Sequence, residues 1–234
     1  MIKKKVFIHG ASGQAKVVLD ILEQIGGYEV THFFDNDNSK TELRGIPVLH
    51  EYNNAFEDFR SWDAKNDGKV LGRDYFFVVA IGADNKKRYD LFKMYRQAGY
   101  KPLNVIHPKA IIEPSARLGE GVQIMAGATI CADVIVGNAV IINTGAGIDH
   151  ESIIEDGVHI MPQATLAGWV NIKKYANIGS NATVFPRKNI GEGAFLGAGA
   201  VAVKDVPANE AWVGNPAIFF KTMVDYNFYK HKQH

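Results

Sequence analysis

The chain carries one cysteine, Cys131, so it cannot build an internal disulfide framework, and a reducing compartment is expected. It has no excess of either charge. Twenty-six Lys and Arg oppose 25 Asp and Glu, for a formal net charge of +1. That balance offers no basic surface to nucleic acid or to an anionic membrane. Long apolar runs are missing as well. The N-terminus, Met1-Ile2-Lys3-Lys4-Lys5-Val6-Phe7-Ile8-His9-Gly10, starts basic, but its apolar run is too short for a signal-peptide core. No stretch approaches the ~20 residues of a membrane span. What remains is an ordinary composition, 47% hydrophobic and 22% charged, expected to be cytoplasmic. At 234 residues, two domains are expected rather than one.

What the chain has in abundance is a period of six. Stepping by six from Ile112 through Leu118, Ile124 and onward to Leu196 meets fifteen branched aliphatics without a slip. Four residues after each stands a small or short residue (Ala116, Val122, Ala128 and so on to Ala200), and Lys188 is the only break in that column. A period of six is neither 3.6 nor 2, so no ordinary helix or hairpin explains it. Hexapeptide repetition signals a parallel β-helix, in which three hexads close one triangular coil of 18 residues. The aliphatic points into the prism, and successive coils pair as parallel strands about 4.8 Å apart. The pattern resembles the left-handed β-helix of the hexapeptide-repeat acyltransferases, and that resemblance supplies the handedness.

Such a prism has a thin core. A buried Ile or Val contributes roughly 1.5–3 kcal/mol, whereas ordering each backbone residue costs about 1–2 kcal/mol. One aliphatic in six cannot carry the fold alone, so burial between chains, and hence an oligomer, is expected.

Residues 1–105 read as a small Rossmann-like α/β domain with three or four parallel strands. Val6-Phe7-Ile8 ends in Gly10-Ala11-Ser12-Gly13-Gln14-Ala15, and Val17, Val18, Ile21, Leu22 and Ile25 then follow at helical spacing up to Gly26-Gly27. In such a turn the glycines let the backbone approach a phosphate, and the helix N-terminus offers N–H groups and a positive dipole end. A second strand, Val30 to Phe34, ends at Asp35, a position where Rossmann-type units receive a sugar hydroxyl. A third, Tyr75 to Ile81, ends at Gly82, and an amphipathic helix follows from Lys86 to Ala98. Gly10, Ser12, Gly13, Asp35, Asn36 and Gly82 are therefore assigned to a nucleotide-sugar site. A tight strand-to-helix turn is the plainer alternative. About 105 residues hold only one mononucleotide half, which argues against a nicotinamide dehydrogenase.

The repeat occupies residues 106–221, with a C-terminal extension over 222–234. Most of its outward positions are turn-formers, but Ile148-Asp149-His150-Glu151-Ser152 carries a histidine beside a carboxylate. That pair suits a general base and its orienting partner, or else a surface histidine in a turn. Four features together resemble the hexapeptide acetyltransferases that act on sugar nucleotides or sialic acid. They are Gly10-Ala11-Ser12-Gly13, Asn143-Thr144, Asp149-His150-Glu151 and Gly214-Asn215-Pro216-Ala217. The best-fitting group is the UDP-4-amino-sugar N-acetyltransferases, and the likeness runs through both domains in order. The resemblance implies that His150 is the general base and that Glu151 assists it. It places His159 near the incoming amine, gives the Gly168 N–H to the thioester oxygen, and assigns Ser180 and Ala198, with His159, to acetyl-CoA. Asn143 is assigned to the substrate.

The 18-residue coil tests this transfer separately. Gly168 stacks one coil above His150, where its N–H could meet an acetyl carbonyl. His159 lies half a coil round, and Ser180 and Ala198 share a third phase, on a different edge from His150. The two sets can meet only across a subunit boundary, so a homotrimer with intersubunit sites is expected. The implied reaction is direct transfer of acetyl to the 4-amino group of a nucleotide-linked amino-deoxy sugar, UDP-linked by preference. An O-acetyltransferase acting on sialic acid or a related hydroxyl is the alternative, and a non-catalytic nucleotide-sugar-binding or scaffold protein a third.

Three further features bear on the chemistry. Cys131 stacks one coil below Asp149 but reads as filler beside a turn, not as an acyl carrier. His107, His150 and His159 make no workable zinc triad, because His107 lies more than two coils below His150, so no metal is expected. Gln14 stands where relatives place histidine, and Lys188 either marks a local bulge or reaches a coenzyme phosphate with Arg187.

Overall fold

The computed structural model describes residues 3–50 and 75–223. The helical and loop segments expected over residues 50–73, and the aromatic tail with Tyr226, Phe228 and Tyr229, fall outside the described residues but for residue 50. The chain divides into two compact units, residues 1–81 with 90–105, and residues 82–89 with 106–234.

The first unit is built on a six-stranded sheet. Its strands are β1 (Lys4–His9), β2 (Tyr28–Phe34), β3 (Glu42–Leu43), β4 (Ile46–Leu49), β5 (Phe76–Val79) and β6 (Lys101–Pro102). They lie in the order β3-β4-β2-β1-β5-β6, and only the β3–β4 pair is antiparallel. Among the described residues five parallel strands thus stand where three or four were expected. Of the additions, β6 is too short to show a periodicity, and Pro47 interrupts the apolar run of β4. Central β1 is flanked on both sides, so Val6, Phe7 and Ile8 are all fully buried. Helix α1 (Gly13–Ile25) turns Ala15, Val18, Leu19 and Leu22 inward, and Gly26 (φ 71) closes it by donating its N–H to Leu22 O at 3.0 Å. Phe7 anchors an aromatic core, meeting Tyr95 edge-on at 4.9 Å and stacking on His32 at 5.8 Å. Burial with no resolved countercharge lowers the His32 imidazole to about 4.

In the second unit every coil pairs with the next at a spacing of 18 residues. Gln123 faces Ile141, which faces His159, which faces Asn177, which faces Phe195. The same register holds along Thr129, Gly147, Thr165 and Thr183, and along Ile135, Ile153, Asn171 and Asn189. Three parallel sheets therefore form the faces of a prism, and the aliphatic and small-residue columns are buried together inside it. The parallel β-helix read from the hexads is the fold observed. Helix α2 (Asn85–Gln97) begins in the segment that groups with this unit.

The corners explain how the register is kept. At one of them Glu151, Trp169 and Arg187, one coil apart, all take left-handed backbone conformations, with φ of 57°, 57° and 61°. Such conformations are uncommon for residues with a Cβ. Each is held by a hydrogen bond to the coil below: Glu151 N–H to Ala132 O (3.0 Å), Trp169 N–H to His150 O (3.0 Å) and Arg187 N–H to Gly168 O (3.1 Å). Lys188 does not interrupt the ladder. Asn171 N–H donates to Lys188 O at 3.0 Å, and Asn171 and Asn189 pair in register. There is no bulge at that position, and the Lys188 charge acts on Asp205 instead. A final strand, Glu210–Val213, adds to Phe195–Leu196 and turns back antiparallel through Ile218–Thr222.

Candidate active site

The corner that follows the strand Gly147–Ile148 carries the histidine–carboxylate pair. Asp149 Oδ1 accepts the His150 N–H at 2.8 Å, which fixes the turn locally. His150 Nδ1 lies 3.1 Å from Glu151 Oε2, and both side chains are about half exposed. With Nδ1 engaged by the carboxylate, Nε2 is the free ring atom. The opposite wall is Gly168, one coil on, where an added Cβ would lie 2.7 Å from His150 Cε1 and 2.8 Å from Nε2. The imidazole therefore rests on bare backbone, and only glycine leaves it room. Among the described residues the Gly168 N–H takes no partner in the ladder, so a donor stands free beside the imidazole.

Trp169 flanks the pair, with its ring edge-on to His150 at 4.6 Å and the Arg187 guanidinium 4.4 Å over its face. Sequence reasoning had not placed Trp169 near His150. The 18-residue step that pairs 150 with 168 puts 169 beside 151, so the signal was present. Ser152 locks the base of the corner: its Oγ donates toward Ala167 O (3.3 Å) and accepts from Val170 N–H (3.3 Å).

His159 sits elsewhere on the prism, on the strand His159–Ile160, beyond Ile153–Ile154 and the corner at Asp156. It is 7% exposed. Its Nδ1 lies 3.0 Å from Gly82 O, so this nitrogen carries the proton, and Nε2 lies 3.3 Å from Asn143 Nδ2. Asn143 Oδ1 accepts the Thr144 N–H at 2.8 Å, which orients the amide donor toward the imidazole. Burial, then the nearby Arg88 charge, lower His159 to about 3 despite the Gly82 carbonyl, so it is neutral at working pH. Gly82 is thus engaged with His159 and groups with the second unit. Ser180 and Ala198 occupy the corner after this strand's sheet, one coil apart, and neither N–H enters the ladder among the described residues.

The glycine turn of the first unit divides its work. Gly10 (φ +102) is demanded by packing, because a Cβ there would lie 2.7 Å from Ala80 O. Gly13 meets nothing within 4 Å, and Ser12 is exposed and makes no capping bond, so the helix N-terminus is open to a ligand. Asp35 is already committed. It accepts Ala11 N–H (2.7 Å), Asp37 N–H (2.9 Å) and Lys40 Nζ (3.0 Å). Burial pushes its carboxyl up, but these donors outweigh burial and hold it below the usual range. The carboxylate therefore ties the glycine turn to the end of β2, and neighbouring Asn36 is exposed.

Cys131 is pushed up by burial, then by the Asp149 carboxylate, which keeps it a thiol and a poor nucleophile. Among the described residues no three His, Cys, Asp or Glu side chains group as metal ligands. No described helix is long and apolar enough to cross a membrane. The cluster that the sequence did not disclose is Asn85, Arg88 and Tyr89, whose partners in the prism are mostly backbone carbonyls. Carbonyls carry no sequence signature.

A hexapeptide prism with an imidazole–carboxylate pair over a glycine suits general-base chemistry, and the comparisons give the class. Residues 5–95 match the PglD N-terminal domain. The acetyltransferase domain of PglB from Neisseria gonorrhoeae, solved alone and with acetyl coenzyme A, is 32% identical, with TM-scores of 0.82 and 0.81 over 93% of this chain and 100% of that one. PerB from Caulobacter crescentus, solved with CoA and GDP-perosamine, is 37% identical, with a TM-score of 0.80 over 93% of this chain and 97% of that one. The UDP-N-acetylbacillosamine N-acetyltransferase of Bacillus subtilis is 33% identical over 128 residues, 53% of this chain and 52% of the relative. The chain spans about half or less of the length of the curated relatives it matches. It belongs to the hexapeptide-repeat sugar-nucleotide N-acetyltransferase family.

Proposed function

We propose that this protein transfers acetyl from acetyl-CoA to the amino group of a nucleotide-linked amino-deoxy sugar, at the 4-position and with UDP as the preferred nucleotide. The observation that carries this is the His150–Glu151 pair, 3.1 Å apart, held over Gly168 with Nε2 free. The neutral sugar amine attacks the thioester carbonyl carbon, and a C–N bond forms while the nitrogen's proton passes to His150 Nε2. Glu151 accepts from Nδ1–H and steadies the imidazolium. The oxyanion is met by the Gly168 N–H, and collapse breaks the C–S bond, with the departing thiolate taking the amine-derived proton from His150.

Ser180 and Ala198, with free N–H groups along one edge, hold the coenzyme, and His159 and Asn143 lie on the adjoining face. In the first unit, Gly10, Ser12, Gly13, Asp35 and Asn36 are the residues assigned to the nucleotide, with the open helix N-terminus suited to its phosphates. Because the His150 corner and the Ser180 corner belong to different edges of one prism, the complete site forms between protomers of a homotrimer. The exposed Ile111, Ile135 and Ile153 support burial between chains.

The test is a thiol-release assay over UDP-, GDP- and dTDP-linked amino sugars, with sialic acid as the hydroxyl acceptor. CoA release with an amino sugar nucleotide is expected; release only with sialic acid would replace N- by O-acetylation, and release with no acceptor despite acetyl-CoA binding would favour a binding protein. Sedimentation showing a stable monomer with full activity would remove the intersubunit site.

A further inference from the structure

The segment 82–89 enters the prism with a buried cation. Arg88 is fully buried, and its guanidinium donates from Nε to Ala139 O (2.8 Å), from Nη2 to Gly157 O (2.8 Å) and Val158 O (3.2 Å), and from Nη1 to Asn85 Oδ1 (2.9 Å). Asn85 Nδ2 in turn donates to Tyr175 O (3.0 Å) and Ala176 O (3.1 Å), and Tyr89 Oη donates to Asp156 Oδ2 (2.9 Å). Three consecutive coils are thereby stitched at one corner, at residues 139, 157 and 175. Gly157 and Val158 lead directly into His159, and Gly82, at the start of the same segment, receives the His159 Nδ1–H. A planar guanidinium fork suits such a cluster of carbonyls, and lysine could not replace it.

We propose that Arg88 is a positioning residue for the acetyl-transfer site: by gripping the backbone just before His159 it fixes the Gly82 carbonyl against Nδ1 and presents Nε2 as a hydrogen-bond acceptor for a substrate N–H. The proposal rests on the reading that His159 adjoins the acceptor amine. Asn143 Nδ2 occupies that acceptor atom at 3.3 Å, a long bond that a substrate amine can displace or share. The charge of Arg88 works in the same direction, since it disfavours a second proton on the ring. Arg88 is the charged group that acts on His159. Asp84 acts on Arg88, Asp156 is paired with Tyr89, and the strand neighbours Ile141 and Asn177 are uncharged.

The experiment is imidazole nitrogen NMR of the intact 15N-histidine-labelled protein, with His159 assigned by His159→Asn, followed by kinetics of Arg88→Gln and Arg88→Lys. In the wild type His159 is expected as the neutral Nδ1–H tautomer from pH 8 to pH 5. In R88Q its titration midpoint should rise, and the tautomer should become mixed. R88K should keep the charge effect while losing the fork. In both variants kcat should fall about ten- to hundredfold, with KM for acetyl-CoA within about twofold. A wild-type His159 that is the Nε2–H tautomer, or that titrates above pH 5, overturns the proposal without any variant. So do variants that fold with lower thermal stability but unchanged kcat and an unchanged His159 spectrum, since Arg88 would then only hold the prism together. The NMR arm needs no acceptor, so failure to find a sugar substrate would count against the proposed activity and not against this inference.

Discussion

Gly168→Ala separates catalysis from stability in a single change. Gly168 is not in the left-handed region, so its backbone accepts alanine without strain. At such a position Gly→Ala usually stabilises a protein by about 0.4–1 kcal/mol through the unfolded chain. The new methyl, however, would stand 2.7 Å from His150 Cε1 and 2.8 Å from Nε2, where ordinary contact begins near 3.4 Å. The ring must retreat by roughly 0.6–0.7 Å or swing out, and a misplacement of about that size costs up to ~10²-fold in rate. A swing outward is open to it, because the His150 side chain is 40% exposed, but it gives up the 3.1 Å contact to Glu151. The expected result is a fall in kcat of about a hundredfold, with the melting temperature unchanged or slightly raised. CoA release monitored with a thiol reagent, beside a thermal melt, reads both. Turnover within about threefold of wild type would refute the claim that the imidazole works where the structure places it.

The remaining predictions follow from single contacts. Glu151→Gln keeps the hydrogen-bond geometry but removes the charge that steadies the imidazolium, so kcat should fall at least about tenfold with little change in coenzyme KM. Cys131→Ala should leave turnover unchanged, and a strong loss would revive an acyl-cysteine route. Acid should destabilise the fold, because His159 and His32 are held neutral, near 3 and 4, against 6.5 when unfolded. Their contribution is intact above about pH 6.5 and declines as pH falls toward those values, since the unfolded chain then binds protons that the native one refuses. Each costs roughly 2 kcal/mol by pH 5. Denaturant midpoints equal at pH 8 and pH 5 would contradict this.

The repeat was legible because its signal is one residue in six, kept in phase through fifteen hexads. Once the 18-residue coil is accepted, arithmetic alone places Gly168 against His150, and the structure has that juxtaposition. The same arithmetic would have placed Trp169 beside the pair. Other features depend on partners that a sequence does not mark. The carboxylate of Asp35 was assigned to a sugar hydroxyl, and the backbone N–H groups of Ala11 and Asp37 that it also accepts from carry no mark in the sequence. Arg88 looked like one more charge on an amphipathic helix, yet its partners are carbonyls of residues 139, 157 and 158. Of the two readings of Lys188, a bulge or a reach to a coenzyme phosphate, the bulge is absent, because the ladder is made by backbone atoms and continues through that position.

The most direct trial of the central claim is turnover of His150→Ala with an amino-sugar nucleotide and acetyl-CoA, measured with coenzyme affinity on the same protein. The loss of a general base should lower kcat by ~10²–10⁴-fold while acetyl-CoA still binds. A variant that releases CoA at close to the wild-type rate would show that proton removal happens elsewhere.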